Sequence, residues 1–284
     1  MQTHRIASVA LLLLSMETAD GAAVITAASG ADAAAIQATV DAFRASLGAL
    51  NLNQAGSFAS GRREINWDGV PGASAAPNPL PTNFFNTVSP RGVIFSTPGT
   101  GVEVSATAAS GTAVRFGDIN PAYPTLFATF SAERLFTAIG SNVVDVDFFV
   151  PGSTVAATVS GFGAVFTDVD LANVSSLQFF GVGNLSLGSF FAPNVAGANG
   201  SLSFLGLRFD AGERISRVRI TAGNQALSAG SESGDVVALD DFIYAEPMVA
   251  VTAAIPEPQT YALLLAGLGL LGAAARRSKP VGRR

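Results

Sequence analysis

The chain has 284 residues, a net charge of −5 and no cysteine; hydrophobic residues make up 49% of it and charged residues only 13%. Few charges among many bulky apolar residues exclude an intrinsically disordered chain, and the acidic balance argues against binding the phosphates of nucleic acid. The absence of cysteine excludes disulfide scaffolds, thiolate zinc sites, iron–sulfur clusters and cysteine nucleophiles.

From the N-terminus, His4 and Arg5 form a short basic stretch before the uncharged apolar run Ile6–Leu14. Small residues follow at Ala19, Gly21, Ala22 and Ala23. Basic start, apolar run and small-residue cleavage region together predict a secretory signal peptide over 1–22. Residues 23–60 are read as a helix and a linker. In the helix, 31–50, the residues Ile36, Val40, Phe43, Leu47 and Leu50 recur at spacings of four and three, which places them on one stripe. Ser29 is the expected N-cap, with Asp32 in the first turn. Residues 69–91 hold five of the 14 prolines (71, 77, 79, 81 and 90), which predicts an extended loop.

The segment 61–247 reads as one β domain. Short runs rich in Val, Ile, Phe and Thr alternate with Gly, Pro, Asn and Ser, among them Arg63–Trp67, Leu126–Phe130, Val143–Val150, Phe162–Val169, Leu202–Phe209 and Val236–Ala245. No helix-length segment separates them. The expected fold class is therefore mainly β: an antiparallel β-sandwich, jelly-roll-like, with one N-terminal amphipathic helix. Trp67 and the Phe doublets 84/85, 148/149, 179/180 and 190/191 are candidates for the core between two sheets.

Without its two ends, the body (22–255) carries ten arginines against eighteen carboxylates, a net charge of −8, and neither His nor Lys. That removes Ser-His-Asp catalysis, Schiff-base chemistry and imidazole zinc ligation. No nucleophile-elbow, aspartic-protease, zincin or phosphate-loop motif occurs, and the expectation is a non-enzyme. Asp145 and Asp147 share one strand face, as do Asp168 and Asp170. If those strands pair, four carboxylates crowd together and need either Arg217 and Arg219 or a calcium ion beside them. In VVALDDFIYAEP, Asp241 alternates onto the face of Val237, Leu239 and Ile243 and so points to the core. This closing strand resembles that of carbohydrate-binding-module-like jelly rolls, and the resemblance implies a structural calcium held by Asp240 or Asp241 with Glu64 and Asp68 of the first strand. Tyr123, in the loop Asn120–Pro124, is the candidate ligand-binding aromatic. Ice binding is not expected, because there are no regular Thr-x-Thr rows.

After a linker, 248–255, the tail 256–284 has three unlike parts in order. Pro256-Glu257-Pro258 is followed by an uncharged run, 259–275, and then by Arg276, Arg277, Lys279, Arg283 and Arg284. Seventeen residues span about 25 Å as a helix, the lower limit for a bilayer, and the basic cluster is expected on the cytoplasmic side. The tail resembles the PEP-CTERM sorting signal of Gram-negative bacteria, a short signal also described as an ice-binding protein C-terminus. The resemblance implies an exosortase-type processing enzyme as partner, a transmembrane helix before processing, and a final place at the cell surface or in the extracellular matrix. The function expected is a structural or adhesive component that meets extracellular polysaccharide. The alternatives are a calcium-dependent carbohydrate-binding module and, less in keeping with the residues, a glycoside-active enzyme using carboxylates alone.

Overall fold

The computed structural model describes residues 23–230, 234–250 and 265–271. The chain divides into two compact units, 1–250 and 251–284. The first unit opens with β1 (Ala23–Gly30) and α1 (Ala33–Leu47), then β2 (Arg62–Ile65), α2 (Phe84–Thr87), β3 (Val93–Ser96) and β4 (Gly101–Val104). Next come α3 (Tyr123–Leu126), β5 (Phe136–Ile139), β6 (Val143–Phe148), β7 (Ala157–Thr158) and β8 (Gly161–Thr167). The order finishes with β9 (Ser176–Phe180), β10 (Ser186–Phe191), β11 (Leu202–Phe209), β12 (Arg217–Thr221), β13 (Ala238–Ala245) and β14 (Met248–Val249). The fold is mainly antiparallel β, as the sequence predicts.

Two sheets carry the architecture. The first runs β1-β11-β8-β13-β5-β4, with β2 also paired to β13; the second runs β10-β9-β12-β6-β3. Their residues meet in one hydrophobic core. Phe148 of the second sheet packs on Phe162 and Tyr244 of the first, with ring centroids 6.2 and 5.6 Å apart. Phe95 likewise packs on Phe136, and Phe179 on Phe209. Edge-to-face and tilted ring pairs of this kind add to the apolar area they bury.

Burial along the strands reports which faces are covered. Every residue of β8 and β13 is buried, whereas β9 and β12 alternate between buried and half-buried. The first sheet is therefore covered on both faces and the second on one. The second cover is α1. Its stripe Ile36, Val40, Phe43 and Leu47 is buried as expected, and a notch in the sheet receives it. Gly163 of β8 lies opposite Gly206 of β11. A Cβ on Gly163 would stand 3.0 Å from the Phe43 ring, and one on Gly206 only 2.8 Å. The missing side chains leave room for the ring.

Several local expectations need correction. The helix is capped by Asp32, whose carboxylate accepts from Ala35 N at 3.0 Å, not by Ser29, which lies in β1. The helix ends at Leu47 with Gly48 at φ +98°, so Leu50 leaves the stripe and is exposed. Residues 23–30, read as linker, form an edge strand, and Leu126–Phe130, read as a strand, is the end of α3 and an irregular segment. The proline-rich stretch is ordered: Leu80 bridges to Val102, and Phe84 and Phe85 enter the core. The Phe doublets at 148/149 and 179/180 send one ring in and leave the other partly exposed, as strand alternation requires.

In the second unit, residues 265–271 are helical. The rest of the expected transmembrane run lies outside the described residues, as do the expected signal peptide, Pro256, Glu257, Pro258, Arg276 and Arg277. Among the described residues no helix is long and apolar enough to cross a membrane.

Candidate functional site

The site is built around an irregularity in β13. Between Leu239 and Phe242 the register against β8 shifts: three steps along β13 match two along β8, from Phe166 to Ala164. One extra residue is accommodated as a bulge. At the same place β13 changes its other neighbour, from β5 at Leu239 to β2 at Phe242. The bulge leaves the Asp240 carbonyl outside the ladder, and a buried carbonyl needs a donor. Trp67 supplies it, Nε1 to O at 2.9 Å. Its indole stacks on Phe136 with centroids 4.2 Å apart, so Trp67 is core, as expected. Trp67 itself sits at φ +64°, a left-handed conformation costly for an aromatic residue, held here by that packing.

Because β13 is covered on both faces, strand alternation exposes neither member of the acidic pair. Both Asp240 and Asp241 are buried. Asp240 accepts from Phe130 N at 2.6 Å. Ser131 Oγ lies 2.7 Å from Asp241 Oδ1 and 3.2 Å from Asp240 Oδ1. Burial holds the Asp240 carboxyl well above the ordinary range, and the adjacent Asp241 charge adds to this. Burial raises Asp241 as well, while Ser131 and Arg44 pull against it.

Arg44, on the last turn of α1, pairs with Asp241. Its Nη2 donates to Asp241 Oδ2 at 3.0 Å and to Glu64 Oε2 at 2.9 Å, and its Nε reaches Glu64 Oε1 at 3.1 Å. Arg62 Nε also donates to Glu64 Oε1, at 2.7 Å. Burial works against the Arg44 charge, but Glu64, Asp241 and Asp41 outweigh it and raise its pKa. The guanidinium therefore stands between two of the carboxylates assigned to calcium. Asp68, the fourth member of that set, points elsewhere and accepts from the Glu133 and Arg134 amides at 2.6 and 3.1 Å. Glu64, Asp68, Asp240 and Asp241 thus do not form one oxygen cage. Among the described residues no group of three or more His, Cys, Asp or Glu side chains is arranged to hold a metal ion. Instead, Asp240 and Asp241 hold Phe130 and Ser131 at one end of a short segment, and Asp68 holds the other end.

A cleft of about 390 Å³ opens over this network, lined by Gln37, Arg44, Asn51, Asn53, Glu64, Asn66, Arg91, Phe130, Ser131 and Asp241 with Leu50 at its edge. Phe130 lies under Arg44, 5.7 Å from guanidinium carbon to ring centre. A second cleft of about 230 Å³ adjoins it, lined by Trp67, Val70, Pro71, Phe84 and Phe85, and shares the walls Asn66 and Arg91 with the first. Planar amides, charged groups fixed in ion pairs and an aromatic ring suit a polyhydroxylated ligand, because such a surface both donates and accepts hydrogen bonds.

The other candidates resolve differently. Tyr123 is fully buried in a separate small core with Phe116 and Phe127. Its hydroxyl donates to Ser228 O at 3.0 Å and accepts from Ser228 N at 2.9 Å, so it is not a ligand platform. Asp145 and Asp147 lie on β6, opposite Arg219 and Arg217 of β12. Arg219 grips Asp145 with two contacts of 2.8 Å, the arginine neutralisation expected. Asp168 and Asp170 belong to the other sheet's end, beyond β8, so the four acids form no common patch. Asp168 accepts from Gly200 N instead. Sequence reasoning missed Arg44, Arg91, Phe130 and Ser131; the sole hint was Arg44 as the one basic residue in an otherwise uncharged stretch of helix after Asp41.

Residues 254–278 match the family model of the PEP-CTERM protein-sorting motif. The motif marks the chain as an extracellular protein sorted by an exosortase. No curated protein and no solved structure matches the chain.

Proposed function

With the sorting motif at 254–278 as premise, we propose that this chain is a non-enzymatic structural or adhesive component of the cell surface or extracellular matrix of a Gram-negative bacterium. Its N-terminal signal starts export, the C-terminal helix and basic tail hold it at the inner membrane, and processing near Pro256-Glu257-Pro258 releases the β-rich body. We read that body as a sandwich of jelly-roll type, with the cleft over Arg44 and Asp241 as its contact with extracellular polysaccharide.

The sorting motif is the observation that carries the proposal. The composition supports binding over catalysis, since 23–255 contains no His, Lys or Cys. The acids at the bulge support it too, because both are engaged in holding the 130–134 segment and Arg44. The test has two parts. Deleting 256–284 is expected to abolish surface retention, and an unchanged location would overturn the sorting claim. A glycan array with the purified chain is expected to show binding; a blank array leaves only a scaffold role.

A further inference from the structure

Of the arginines around the cleft, Arg44, Arg62 and Arg63 all have carboxylate partners within 3.0 Å. Arg91 has none among the described residues. Its Nη1 donates to Ser89 Oγ, and its guanidinium lies over Phe85 at 5.1 Å, but its Nε is buried without a hydrogen-bond partner. Burial, with the nearby Arg63 charge, disfavours its ionised form. A half-buried guanidinium without a counter-charge is costly, and ring contact offsets only a part of that cost.

The residue is nevertheless firmly placed. Its N–H donates to Phe85 O at 2.8 Å, and its carbonyl accepts from the Tyr244 hydroxyl at 3.0 Å. Gly92 follows at φ +75°, a turn that a Cβ would block by meeting Phe149 O at 2.3 Å. The backbone is thus clamped on both sides, and the side chain forms the wall shared by the two clefts.

We propose that Arg91 is an anion receptor and that the ligand of this cleft is an acidic saccharide, bearing a carboxylate such as that of a uronic acid. This rests on the polysaccharide reading of the cleft. A planar carboxylate meets the guanidinium fork, supplies the missing counter-charge and leaves sugar hydroxyls to Asn66, Asn51 and Asn53. A neutral sugar makes the second set of contacts but not the first. The body's net charge of −8 gives no general attraction for polyanions, so a preference for an acidic saccharide points to a local group such as this one.

The test compares an oligogalacturonate with the same oligomer after its carboxyl groups have been reduced to alcohols, both titrated against the detergent-solubilised full-length chain. The acidic form is expected to bind at least tenfold tighter, and this preference is expected to shrink with added salt. Arg91→Gln is expected to bring both to the affinity of the neutral form, while Arg91→Lys keeps the charge without the fork and retains part of the preference. Thermal melts confirm that each variant is folded. Equal binding of the two oligomers, or a preference that survives in Arg91→Gln, overturns the receptor role and leaves the polysaccharide reading standing. Failure of both oligomers to bind overturns the inference together with that reading.

Discussion

Arg44 and Asp241 are 197 residues apart in sequence and 3.0 Å apart in space. The contact ties the helix that covers the first sheet to the bulge in the strand at its centre. Glu64 on β2 shares the same guanidinium, so three elements meet at one cation.

Replacing Arg44 with Met is therefore expected to destabilise the fold by about 3 kcal/mol, because the buried Asp241 loses its counter-charge and Glu64 keeps only Arg62. Adding Asp241→Asn to that variant is expected to recover part of the loss. Urea unfolding of the two single variants and the double variant checks the coupling.

Stability is expected to fall as pH rises toward neutrality. Glu103 on β4 is buried, and burial, with the Asp118 charge nearby, pushes its carboxyl from 4.5 up to about 7. Its folded pKa is above its unfolded one, so the native state holds more protons between those values and loses stability as pH rises through them. Asp240 acts in the same direction. Melts are expected at higher temperature near about pH 5.5 than near about pH 8. Glu103→Gln is expected to flatten that slope and to stabilise the protein by about 1–2 kcal/mol at the upper end.

Tyr123→Phe tests the role given to that residue. Removing the hydroxyl strips both hydrogen bonds to Ser228, at an expected cost of about 1–2 kcal/mol. Saccharide binding is expected to be unchanged, and a loss of binding in a folded Tyr123→Phe chain would restore the aromatic platform.

Chelation is expected to leave the melting temperature where it was, since Arg44 supplies the positive charge between Glu64 and Asp241. A clear downward shift with a chelator, reversed by calcium, would overturn the account of these carboxylates as arginine-paired structural groups.

The sequence alone determined what local, contiguous patterns can determine. The three-part sequence from Pro256 to Arg284 identifies a sorting signal, and the loss of His and Lys with the two ends limits the body's chemistry. The stripe Ile36, Val40, Phe43 and Leu47 fixes which face of α1 is buried, because its period is a property of the helix itself. Leu202–Phe209 was legible as a strand to the residue, since Leu202, Phe204, Leu205, Leu207 and Phe209 make a short apolar-rich run that begins right after Gly200. Tertiary structure decided the rest. Period-two alternation assigns one face to the core, so only the cover on both faces of β13 put both Asp240 and Asp241 inside. The edge strand Ala23–Gly30 is made by its pairing with β11. The site depends on which distant charges meet: Arg44 found Asp241 and Glu64, Arg63 found Glu246, and Arg91 has no acid partner among the described residues. Those pairings follow from the packing of elements far apart in sequence, where no local signal reaches.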